Sequence, residues 1–297
     1  SYSVAADLFS SRDYAAVAMG VVTCLEETFR RGDAYVSAHD ADTNHEEGDT
    51  YVFTAADLRS ILTDEEYDVL ETSFEISEDG NFEGKNHLVR RDPYRVDERE
   101  RAVLDKLLSA RRNRPQPTVD TKIVTSWNCL AAVALIEAGR RLANASLIGR
   151  AEEIEAFLLA EHYRDGRLLH SSNDGAKQHE EFLEDVAAFF LLETYLLEER
   201  QFGDGEETRA RCATLSARLS TYRDGDSWFE AKNADFMAVP AQAFDSPTPS
   251  SISMATLAET RFRQLSGEFP EPQHFRSALA NDFSNFAAAW SAGFVHE

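Results

Sequence analysis

The sequence predicts an all-α fold, a toroid of helical hairpins with short β-hairpins at one rim. Three observations carry that reading. Apolar residues recur at steps of three and four, two helical segments are apolar on every side, and amphipathic helices alternate with these buried ones along the chain. A chain of 297 residues with 43% hydrophobic content can bury a large core, and 1–297 reads as one domain.

Taken in order, residues 12–31 place Tyr14, Val17, Ala18, Val21, Val22, Leu25 and Phe29 at helical steps, which predicts an outer helix with one buried face. The stretch 34–118 is the largest insertion. Helices are expected there at 55–62, 64–74 and 97–112, the last stopped by Arg114-Pro115-Gln116-Pro117. The apolar runs 129–136 and 186–192 predict inner helices beginning near 126 and 182, because a helix apolar all round must be covered on all sides. A third inner helix follows Ser250 and Ser251, either of which can cap it, and carries Met254, Leu257, Ala258 and Phe262. Outer helices are expected at 146–162, 206–222 and 272–292. Inner helices thus recur at spacings of 56 and 68 residues, too long for common solenoids and natural for αα-hairpins with elaborated loops. The Asp165-Gly166 and Asp224-Gly225 turns predict small hairpins at 163–169 and 227–232.

Composition narrows the function classes. Acidic residues outnumber basic ones 53 to 30, and a net charge of −23 repels phosphate backbones and anionic lipid, so nucleic acid and membrane surfaces are excluded as partners. Only five of the basic residues are lysines, and the acids are spread over every helix. This resembles the adapted surfaces of salt-accumulating halophiles, with Arg-rich codon bias as the alternative. Cys24, Cys129 and Cys212 are too far apart for a metal or redox motif and odd in number, which fits a reducing cytoplasm. No apolar run approaches the ~18 residues needed to cross a bilayer.

Four segments are dense in chemistry-bearing residues. The first, 39–48, packs His39, Asp40, Asp42, His45, Glu46 and Glu47 together. It begins like a calcium-binding EF-hand loop, but His45 stands where glycine is needed and Tyr51 where glutamate is needed, so that motif is rejected. The ligand types would suit a looser metal site, yet no metal or cofactor is expected. Asp40, Asp42 and Glu46 serve either to cap and pin this loop or to contact substrate. The second segment, Asn81-Phe82-Glu83-Gly84-Lys85-Asn86, reads as a turn with Glu83 and Lys85 paired, or as one presenting Lys85 to a ligand. In the third, Trp127 and Asn128 sit at the start of an inner helix, where free N–H groups suit an anionic or hydroxyl-rich ligand and Trp127 could stack a sugar ring; the alternative is an N-cap with Trp127 in the core. In the fourth, Glu184 and Asp185 open an otherwise apolar helix. Desolvation there would raise their pKa values as a general acid requires, although the helix dipole alone accounts for acids in a first turn. His162, His170, His179 and His274 lie in ordinary polar contexts and read as solvent-facing or capping histidines.

These segments, in this order, resemble the helical domain of the thioredoxin-domain-containing proteins related to the spermatogenesis-associated protein. The loop at 37–53 is similar to that family's "SAEDADSEGEEG-x-YVW", and residues 80–86 match "GNFEGKN". Residues 119–130 follow "DDKILTSWNGL" except at Val119, Val124 and Cys129, and Phe182–Asp185 with Ala187 follow "FLEDYA". Asp245, at the start of a "D-x-P-x-PSGN"-like segment, departs from it at Ser251 and Ile252. The resemblance implies a six-hairpin, (α/α)6 glycosidase-like toroid lacking its first hairpins and the thioredoxin-like domain, hence an incomplete ring.

The resemblance also implies carbohydrate chemistry, with a non-catalytic binding or scaffold domain as the alternative. The candidate catalytic residues are Glu184, Asp185, Asp40 and Asp42. The candidate substrate-binding residues are Trp127, Asn128, Glu46, Lys85 and Asp245. Asp40, Asp42, Trp127, Asn128, Glu184 and Asp185 are expected to gather at one rim around a sugar-like small molecule. An incomplete ring would also expose Phe9, Tyr14, Val17, Phe283, Phe286 and Trp290, so self-association or pairing with a missing N-terminal segment is expected.

Overall fold

The computed structural model describes residues 1–92, 98–200, 205–225, 227–231 and 238–268. The helix expected at 272–292, with Phe283, Phe286 and Trp290, lies outside the described residues. The fold class differs from the expectation. Among the described residues there are ten α-helices and seven small antiparallel sheets, a mixed architecture and not an all-α toroid. The reason is local. Helical periodicity reports buried faces but is blind to two-residue ladders, which need only a tight turn and a partner strand.

The chain divides into two compact units, residues 1–37 with 121–297, and residues 38–120. The first holds α1 (Tyr2–Leu8), α2 (Arg12–Cys24), α6 (Thr125–Arg141), α7 (Ala145–Phe157), α8 (Leu183–Glu199), α9 (Gly205–Leu219) and α10 (Ser251–Leu265). Helices α6, α8 and α10 begin within a residue or two of the expected positions. α8 lies at the centre, packed against α6, α9 and α10, so every residue from Asp185 to Leu197 is buried, including Phe189, Phe190 and Leu191. Full coverage is what an all-round apolar helix requires. Within that span Glu193 is held by an arginine through Oε2, while its buried Oε1 has no hydrogen-bond partner among the described residues. Arg211 on α9 donates through Nε to Glu193 at 2.9 Å and through Nη2 to Glu155 on α7 at 2.8 Å, and Arg200 donates to Glu155 at 2.9 Å.

Helix α2 behaves differently from its sequence pattern. None of its residues is fully buried; Met19 and Val22 lean on the core while Val17 and Val21 stay exposed. Phe9, Leu8 and Tyr2 are exposed as well.

The second unit holds α3 (Ala55–Ile61), α4 (Asp64–Ser73) and α5 (Glu98–Arg112) around Phe53, Leu58, Leu70, Phe74, Val103 and Leu107. Thr54 and Thr63 open α3 and α4 with reciprocal capping boxes to Asp57 and Glu66. At Gly80, with φ of +73°, an added Cβ would sit 2.4 Å from the Lys85 carbonyl oxygen, so this turn requires glycine. No described helix is long and apolar enough to cross a membrane.

Candidate active site

A three-stranded antiparallel sheet sets the site. Residues 171–173 pair with 176–178 on one side and with 123–124 on the other, which ties the chain entering α6 to the loop entering α8. The Thr125 hydroxyl donates to the Leu169 carbonyl, so its oxygen accepts from His162 Nδ1–H at 2.8 Å. That tautomer leaves His162 Nε2 to accept from the Ser172 hydroxyl at 2.9 Å. Burial lowers the His162 pKa to about 4, so it is a neutral bracket for the sheet.

Eight residues further on, His170 faces the first turn of α8. Its Nδ1 lies 3.1 and 3.2 Å from the two Asp185 oxygens and 3.5 Å from Glu184 Oε1. The ring packs edge-on against Phe182, centroids 4.9 Å apart. Asp185 is fully buried, and it also accepts the Phe182 backbone N–H at 3.1 Å, closing the helix N-terminus. Glu184 is half-buried, and its own backbone N–H donates to Glu230 Oε1 at 2.9 Å.

The three groups perturb one another. Burial, with the Asp185 charge adding to it, pushes Glu184 up to about 7, and His170 pulls against them. Burial also raises the Asp185 carboxyl against the opposing pull of His170, and the hydrogen bond to Asp185 raises His170 above the ordinary imidazole range. Titratable groups driven towards neutral pH beside one another are the physical mark of an acid–base site. The cluster opens onto a cleft of about 470 Å³ lined by His170, Phe182, Glu184, Glu230, Phe244 and Ser251 among others. His170, Glu184 and Asp185 also offer three ligand atoms within 4.8 Å of one another, so they are the described residues best placed to hold a metal ion.

The other sequence-derived candidates have different settings. Asn128 is buried in unit one, accepting from Tyr35 N–H at 2.8 Å and donating to the Tyr35 and Val124 carbonyls at 2.9 and 3.0 Å. Its amide donors are consumed in fixing the 34–35 strand to α6. Trp127 is exposed on α6 and does not line the cleft. Asp245 accepts the Ser250 backbone N–H at 2.8 Å, just before α10.

Asp40, Asp42, Glu46 and Lys85 all belong to the second unit. Asp40 accepts the Asp42 backbone N–H at 3.1 Å, within an exposed turn. Lys85 donates to Glu46 and Asp49, each at 2.6 Å, and not to Glu83 as the turn reading had it. Within the same turn, Asn81 and Asn86 spend their side chains on backbone groups of residues 75, 77 and 87.

His170 is the residue that sequence pattern passed over. It sits 15 positions before Asp185 with no motif linking them. The only available signal was the Asp165-Gly166 turn, which folds the chain back so that the following residues return towards α8. No protein-family model matches the chain, and no curated protein sequence matches it.

Proposed function

We propose that the cleft of the first unit is a general acid–base site that moves protons on a carbohydrate, by isomerisation or epimerisation. The observation that carries this reading is His170 held through Nδ1 by a fully buried Asp185, beside a Glu184 whose carboxyl titrates near 7. Asp185 has no exposed surface, so it positions His170 and does not touch substrate.

In the proposed step, the Glu184 carboxylate takes the proton from the carbon next to an open-chain sugar carbonyl. His170, protonated and anchored at Nδ1, donates from Nε2 to the carbonyl oxygen, giving an enediol. Return of the protons in the opposite sense, or to the neighbouring carbon, completes the reaction. The carbohydrate class comes from the motif resemblance at 182–187 and from the hydroxyl-bearing wall of Ser250, Ser251 and Thr248.

The test is solvent exchange. Glucose, mannose and their N-acetylamino counterparts are incubated with the protein in D2O, and loss of the C2 proton is followed by NMR. Exchange with at least one sugar, reduced about 10²–10⁴-fold in E184Q and H170Q, is expected. Absence of exchange in the wild type would remove the catalytic reading and leave a binding domain.

A further inference from the structure

We infer that Glu230 is a specificity-determining residue, a built-in anion that restricts the cleft to substrates without phosphate or carboxylate groups. This rests on the cleft being the substrate site. Helix N-termini ordinarily attract anions through their free N–H groups and dipole. Two such termini, those of α8 and α10, meet at this cleft, and both are already served by the chain's own carboxylates. Glu230 spans them, accepting the Glu184 N–H of α8 at 2.9 Å through Oε1 and the Ser251 hydroxyl of α10 at 2.8 Å through Oε2. Asp185 takes the Phe182 N–H and Asp245 the Ser250 N–H.

The remaining electrostatics act in the same direction. Among the described residues lining the cleft there is no lysine or arginine, and His170 is the one group there that can carry positive charge. That charge is already matched by Asp185. An anionic substrate would therefore enter a site with a carboxylate in the position its own charge would seek and, among the described lining residues, no lysine or arginine to meet it, the Lys122 charge acting on His170 from outside that lining. Two like charges within a few ångströms at a partly desolvated site repel strongly. An uncharged polyol meets no such barrier, and its hydroxyls can donate to Glu230 and pair with the Ser246 and Thr248 hydroxyls of the wall.

The substitution Glu230→Gln tests this while keeping the scaffold. The glutamine oxygen can still accept the Glu184 N–H, and its NH2 can donate to Ser251 Oγ, so only the charge is lost. Inorganic phosphate is titrated at pH 6.5 into wild type and E230Q, with the His170 imidazole signals followed by NMR and the melting curve of each protein recorded as a folding control. Wild type is expected to show no saturable shift, and E230Q to bind phosphate at least tenfold more tightly. Saturable phosphate binding to the wild type at His170, or an E230Q variant that folds yet gains no phosphate binding, would overturn the assignment. The readout is independent of turnover. Phosphate gained by E230Q without any sugar exchange in the wild type would retain the charge filter and reject the catalytic reading.

Discussion

A histidine bonded to a buried carboxylate titrates with that carboxylate as a pair, and the macroscopic constants belong to both. For His170 the sign is clear. Its pKa is raised by Asp185, so the imidazolium persists to higher pH than in an isolated histidine, while Glu184 loses its proton around 7. The form with Glu184 ionised and His170 protonated is thus most populated near neutrality. The proposed proton transfer should show a bell-shaped pH profile, rising as Glu184 ionises and falling as His170 deprotonates. Asp185→Asn supplies the matching prediction. It removes the charge that raises His170, so the imidazole pKa measured by NMR should fall and the alkaline limb should move to lower pH. An unchanged His170 titration in D185N would show that the pair is not coupled.

At the scale of the helix, α8 shows what burial does to an acid. Burial, reinforced by the neighbouring Glu155, raises Glu193 to about 8, although Arg211 bonds it. An unfolded chain would release that proton near the ordinary glutamate value. The stability from the raised pKa is therefore fully present below about 4.5 and is lost as pH rises through about 8. Glu184, Asp185 and His170 act in the same sense. Glu193→Gln should leave the melting temperature at pH 5 nearly unchanged and make its decline between pH 5 and 9 shallower. A variant whose melting temperature falls with pH as steeply as the wild type would assign the alkaline sensitivity to the site residues instead.

Across the whole molecule the dominant quantity is charge. With 53 acids against 30 bases, the folded chain concentrates a net −23 that the expanded chain spreads out. Surface pairs such as Lys106 with Glu66 and Lys177 with Glu161 offset this only locally, since exposed pairs contribute about 0–1 kcal/mol each. Added salt screens the long-range repulsion more than these short contacts. Melting temperature should therefore rise from low to molar KCl. A midpoint that stays fixed would attribute the arginine excess to codon usage and not to a salt-adapted surface.

The sequence by itself determined where the long helices run and which would be central. Apolar runs at 129–136 and 186–192 have no solvent-facing side, and no arrangement can leave them uncovered without a large hydrophobic penalty. Helix starts at α3, α4 and α10 were legible for a similar reason, because a threonine or serine cap is a local bond to the next turn. The hairpins at the Asp165-Gly166 and Asp224-Gly225 turns were legible too, whereas only the tertiary structure decided the other small sheets, the partial exposure of α2 and the membership of the candidate site. Whether Val17 is covered depends on what packs beside it, and α2 has the right spacing with too little among the described residues to cover it. Asp185 stood out as an acid in an apolar helix, but its partner His170 comes from a loop shaped by the 171–178 hairpin and its pairing with 123–124. Periodicity encodes which side of an element is buried. Which side chains from distant elements meet is fixed only when the chain closes, and the acid–base chemistry of His170, Glu184 and Glu230 depends on that meeting.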